Sequence, residues 1–158
     1  MAAYAAVRMS VDRPSKFIGL ALLASAAGGA TAESAAPSAI KSETLVQSTS
    51  AWDATPYTRY PDGPPQLSVL RITIAPHTAL EWHSHPMPNA GYVLSGELTL
   101  EERDGVRKHL VAGEAISETV NRVHRGVTGE ASVVLIVFYA GAPGLPLSRP
   151  ASDLGLSR

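Results

Sequence analysis

Residues 81–96 read EWHSHPMPNAGYVLSG, which sets two histidines one residue apart in an apolar segment flanked by turn formers. In extended backbone, residues i and i+2 project to one face, so His83 and His85 point together into whatever lies on that side. Two imidazoles so placed can share one ion. Neutral ring nitrogen suits zinc, copper, iron and nickel, and a third donor from a neighbouring strand would complete a facial set with open positions. His124, roughly forty residues on and opening a strand candidate of its own, is the candidate third ligand.

Around this stretch the chain is strand-like. Residues 67–74 (LSVLRITI), 91–94 (GYVL) and 97–100 (ELTL) are rich in β-branched and apolar residues, and Ser95-Gly96 separates the last two. Asp104-Gly105 sits between two strand candidates, 98–103 and 106–111, and as a two-residue pair predicts a type I′ hairpin beside a charged, solvated edge. Further strands are expected at 114–118 and 124–128, and at 133–139 (VVLIVFY), whose unbroken apolar character suggests burial on both faces. No window after the N-terminal region carries a helical stripe. Eight or so short strands at roughly ten-residue spacing predict an all-β barrel or jelly roll. Residues 33–65, with the breaker cluster PDGPP at 61–65, read as an N-terminal arm with one edge strand, and residues 141–158 as a C-terminal tail.

The N-terminus has a different character. Arg8, Arg13 and Lys16 precede the apolar run FIGLALLASAA at 17–27, and Ala30-Thr31-Ala32 follows as a small-x-small cleavage site. That is the layout of a secretory signal peptide over residues 1–32, with a run too short for a spanning helix. Met9 is an alternative start that gives a shorter charged region. The mature chain is expected to begin near Glu33, to be periplasmic or extracellular, and to have no membrane association once the leader is removed. With no twin-arginine pair before the run, export is expected in an unfolded state, with metal uptake outside the cytoplasm. The chain has no cysteine, which excludes disulfides, a thiolate nucleophile and any thiolate metal site, so packing must stabilise the exported fold. Without the leader, ten basic side chains face thirteen acidic ones. No basic stripe interleaved with aromatics is present, so nucleic acid is not an expected partner.

The histidine region resembles the two signature motifs of the cupin family. The first motif is Gly, five residues, His-x-His, three or four residues, Glu, six residues, Gly. Here His83 and His85 match, Asn89 stands in the glutamate position, Gly96 matches, and His77 occupies the opening glycine position. The second is Gly, five residues, Pro-x-Gly, two residues, His, three residues, Asn. Gly113 and His124 match, while Thr119, Asn121 and Thr128 replace Pro, Gly and Asn. The resemblance spans about residues 67–139. It implies a single-domain cupin-type β-barrel (double-stranded β-helix, or jelly roll), placed here over residues 66–140. It further implies an interior divalent ion held by three histidines and a glutamate, and pairing into a homodimer through strand edges. The ion could be zinc, iron, manganese, copper or nickel. Cupins include dioxygenases, isomerases, decarboxylases, sugar-binding and storage proteins, so the fold does not select a function.

Asn89 is the main departure, and two readings of it stand. It either holds the ion or a water beside it, in a site with three imidazoles and no anionic protein ligand, or it shapes the Pro88-Asn89 turn. Glu118, just before the second-motif turn, is the candidate catalytic residue, as general base or as a partner that orients a ligand. Glu81 is a candidate replacement carboxylate or an exposed strand-end acid. His77 and His109 read as solvated surface residues, and Trp82, Met87, Tyr92, Phe138 and Tyr139 as core. Three readings of function follow: a mononuclear metal centre with oxygenase- or isomerase-type chemistry on a small polar molecule, a non-catalytic small-ligand module, or a barrel whose histidines hold no ion.

Overall fold

The computed structural model describes residues 40–155; the secretory leader expected at 1–32 lies outside them. Nine strands follow in order: β1 Gln66–Ile74, β2 His83–Ser84, β3 Asn89–Ser95, β4 Glu97–Glu102, β5 Arg107–Val111, β6 Ala115–Ser117, β7 His124–Thr128, β8 Val133–Gly141 and β9 Arg149–Pro150. They form two sheets, one ordered β1-β8-β3-β6 and the other β5-β4-β7-β2-β9, with every strand pair antiparallel. One 3₁₀ turn, Ala151–Leu154, is the sole helical element among the described residues, so the all-β jelly roll expected from the strand spacing is what the chain adopts.

Alternating apolar residues on the strands build the core. Val93 on β3, Leu98 and Leu100 on β4, Leu110 on β5, Ile116 on β6 and Val133, Leu135 and Val137 on β8 form one buried cluster with Ile74 and Met87. Each packs on the inward side of a period-two strand. The run at 133–139 departs from the sequence expectation. Its strand alternates buried and partly covered positions, and Phe138 is 39% exposed, so β8 is covered on one face only. In an antiparallel sheet the outward face tolerates apolar side chains that sit against the solvated edges of their neighbours.

The hairpin between β4 and β5 also differs from expectation. Only Gly105 there has positive φ (91°), and the bonds Gly105 N–H to Glu102 C=O and Glu102 N–H to Val106 C=O enclose a three-residue loop. That is a type I turn followed by a left-handed glycine rather than a type I′ turn, and Asp104 accepts from Val106 N–H at 3.1 Å, holding the loop. Edge strand β5 is exposed except at Leu110, in line with its charged sequence.

The segment before β1 docks on the barrel. Ser50 bridges Pro56, Trp52 N–H donates to Ser117 C=O, and the Tyr57 hydroxyl donates to Glu118 C=O. Arg122 reaches back to pair with Asp53, Glu102 and Asp104. After β8 the chain turns and adds β9 beside β2, with Ala151 N–H bonded to Trp82 C=O.

Candidate metal centre

β2 is only two residues long because Pro86 and Pro88 follow within the next four positions and cannot donate to a ladder. It is held on both sides nonetheless. His83 pairs with His124 on β7 and with Pro150 on β9, and His85 bridges Val120 in the turn before β7. Strand pairing thus makes His83 and His124 direct cross-strand neighbours, and the i, i+2 relation brings His85 to the same place. The three ring centroids lie 4.8–5.1 Å apart, and one ligand nitrogen from each lies within 4.8 Å of the others. His85 and His124 are 4% and 1% exposed, while His83 is half-buried at the mouth.

Each imidazole has its Nδ1 occupied. His83 Nδ1 donates to Glu81 C=O at 2.7 Å, His85 Nδ1 to Leu147 C=O at 2.7 Å, and His124 Nδ1 to Arg122 C=O at 3.0 Å with the Thr119 hydroxyl at 3.1 Å. A carbonyl oxygen only accepts, so in every ring the proton sits on Nδ1 and the Nε2 lone pair of the neutral form is free. Tying one ring nitrogen to a carbonyl is how proteins orient a histidine that binds metal through the other. His124 Nε2 is buried without a hydrogen-bond partner. The Glu118 carboxylate lies 3.2 Å from it, off the direction a hydrogen bond needs, and 3.0 Å from His85 Nε2. Lone pairs and a carboxylate facing one another at this distance repel unless a ring takes a second proton or a cation lies among them. The donor set therefore fits a divalent metal ion.

The electrostatics follow from burial and this carboxylate. Burial pushes His83 below the usual imidazole range despite its bond to the Glu81 carbonyl. Burial also acts to lower His124, but the adjacent Glu118 carboxylate outweighs it and the ring is raised. Burial would raise Glu118, yet His124 and His85 overcome that and hold its carboxyl well below the ordinary range. Tyr139, whose ring lies 5.6 Å from that of His85, is pushed up to about 12 by burial and by the Glu118 charge, so its hydroxyl stays protonated at neutral pH.

The other residues singled out in the sequence fall as follows. Asn89 is 5% exposed on β3, and neither atom of its amide has a hydrogen-bond partner. Glu81 is exposed and contributes its backbone carbonyl to His83. His77 and His109 are at the surface, 3.5 Å from Glu130 and Glu97 respectively. Met87 is fully buried, and Trp82 stacks beneath the guanidinium groups of Arg103 and Arg125. Sequence reasoning did not find the Leu147 carbonyl or the Tyr57 hydroxyl. A backbone carbonyl leaves no mark in the residue identity, and Tyr57 lies in a segment with no periodicity. A cavity of about 290 Å³ opens beside His83 and His85, walled by Ile72, Leu80, Tyr139 and Pro150.

A small double-sheet barrel with three converging imidazoles inside defines the class of protein. Residues 70–139 match the cupin domain family, so this part of the chain is a cupin domain. Among curated proteins none matches it. Solved structures similar to the chain include the DMSP lyase DddQ from Ruegeria pomeroyi DSS-3, at 15% identity and a TM-score of 0.48 over 53% of this chain and 42% of that one. The polyketide cyclase RemF from Streptomyces resistomycificus is 25% identical, with a TM-score of 0.47 over 56% of this chain and 63% of that one. A cupin-like protein from Thermotoga maritima is 18% identical, with a TM-score of 0.46 over 57% and 70%. The chain thus spans less than two thirds of the length of the lyase and the cyclase.

Proposed function

We propose that this chain is an exported mononuclear metal-binding cupin. His83, His85 and His124 hold a divalent ion through Nε2, and a small polar molecule enters through the cavity beside them for oxygenase- or isomerase-type chemistry. The observation that carries the reading is the common tautomer: all three Nδ1 atoms are tied to backbone carbonyls, so all three Nε2 atoms are left as donors. When bound, the ion would supply Lewis acidity or oxygen chemistry to a molecule chelated at its open positions. The chain's own residues would do the rest. Ile72, Leu80 and Pro150 exclude water from one side of the cavity, Tyr139 presents a protonated hydroxyl, and Glu118 holds negative charge on the inner side.

The test is metal content after purification from the exported fraction, with calorimetric zinc(II) titration of demetallated protein. His83→Ala, His85→Ala and His124→Ala should each lose most of the bound metal, whereas His77→Ala and His109→Ala should match wild type. Equal content in all five variants would remove the site. Intact mass of the exported chain tests the leader, with cleavage expected after Ala32. Turnover of candidate small molecules by the metal-loaded chain separates an enzyme from a binding module.

A further inference from the structure

We propose that Glu118 is the carboxylate ligand of this centre, taking the place that Asn89 leaves without a charge. The inference rests on the three-histidine reading above and extends it by a fourth donor.

The distances suit coordination. Donors held about 2.0–2.2 Å from a zinc-sized ion lie about 2.9 Å apart at a right angle and about 3.4 Å apart at the tetrahedral angle. Glu118 Oε2 is 3.0 Å from His85 Nε2 and 3.2 Å from His124 Nε2, inside that interval for both. Glu118 Oε2 lies off the hydrogen-bonding direction of His124 Nε2, so their closeness is that of opposite charges, either an imidazolium beside the carboxylate or a cation shared by the two. Coordination by Glu118 corresponds to the shared cation.

The topology explains how the charge could change position. β3 and β6 pair with Ala90 opposite Ser117, which puts Asn89 opposite Glu118 one step further along the same register. Glu118 N–H donates to Asn89 C=O at 3.1 Å, so the two backbones do meet there. Directly opposed residues in an antiparallel pair project to the same face about 5 Å apart. Moving a carboxylate from residue 89 to residue 118 therefore shifts it by one strand spacing and keeps it facing the barrel interior. Glu118 is also fixed in place. Its N–H is bonded to Asn89, its C=O accepts from the Tyr57 hydroxyl, and its side chain lies beside Gly91. Two-sided restraint of this kind is what a ligand held at sub-ångström tolerance needs.

The experiment compares zinc(II) and manganese(II) affinities by calorimetry in demetallated wild type, Glu118→Gln, the exchange variant Asn89→Glu/Glu118→Gln, and His124→Ala, with circular dichroism as the check on folding. Glu118→Gln should weaken manganese(II) by at least about 100-fold, and more than zinc(II), because an anionic oxygen matters most to the harder ion. The exchange variant should recover most of that loss. Affinities in Glu118→Gln within about threefold of wild type for both ions, alongside loss of binding in His124→Ala, would overturn the fourth ligand and leave the three-histidine site standing. No binding by wild type itself would overturn both. Should Glu118→Gln fail to fold, the crystal structure of zinc-loaded wild type decides: a Glu118 oxygen about 2.1 Å from the ion is expected, and one beyond about 3 Å overturns the assignment.

Discussion

At the scale of single residues, the departures from the family motifs have a conformational logic. Four positions where the motifs carry glycine, now occupied by His77, Gly96, Gly113 and Asn121, all have positive φ, at 51°, 80°, 94° and 56°. Asparagine and histidine visit this region more readily than most side chains, so Asn121 and His77 keep the turn while losing the glycine. Gly96 cannot be replaced in this way, because a methyl there would run into the Ser132 carbonyl oxygen and press on Val133, whereas Gly105 faces open space. Gly105→Ala should therefore cost about 1 kcal/mol from the backbone alone, and Gly96→Ala at least about 3 kcal/mol from backbone strain and steric conflict together. Urea denaturation of the two variants checks the difference. At this scale the sequence was informative where chemistry and spacing coincide. His83, His85 and His124 were legible because imidazoles are scarce in the chain and their spacing is unusual. Asn89 stayed open between two readings because nothing in its identity tells a buried amide from a turn residue.

At the scale of elements, strands were legible from β-branched runs, and their turns less so. The hairpin at Asp104-Gly105 was found, but its geometry was not, since one glycine is compatible with either turn type and only the flanking register separates them. The C-terminal segment was least legible: residues 141–158 carry no periodicity, yet residues 147–151 support the centre. Leu147 C=O holds His85 Nδ1, β9 pairs with β2, and Ala151 N–H bonds to Trp82 C=O. These contacts are made by backbone, which is why composition hides them. Removing the chain from Leu145 onward should free the His85 ring and leave β2 with one partner strand. The expected result is a 10- to 100-fold loss of zinc(II) affinity, the usual effect of losing a group that orients a ligand, with the far-UV signature of the sheets retained. Unchanged affinity in the truncated chain would show that β7 alone orients β2.

At the scale of the whole molecule, the centre lies where the two sheets meet. His83 and His124 belong to the five-stranded sheet, and Glu118 directly follows β6 of the four-stranded one. An ion bound by both would join the sheets at a point where polar side chains are buried, Thr119 and Glu118 against the imidazoles and Asn89 opposite Glu118. Such side chains contribute little hydrophobic stabilisation, and the chain has no disulfide to compensate. Stability should therefore depend on metal. An ion that binds only the native state, present at about a hundredfold over its Kd, adds about 2.7 kcal/mol, which for a domain of this size raises Tm by roughly 10 °C. Thermal melts of demetallated wild type with and without zinc(II) should show that rise, and His124→Ala should melt at one temperature in both conditions. The same rise in His124→Ala would place the stabilising ion elsewhere on the molecule, and no rise in wild type would mean that the polar interior holds the sheets together by its hydrogen bonds alone.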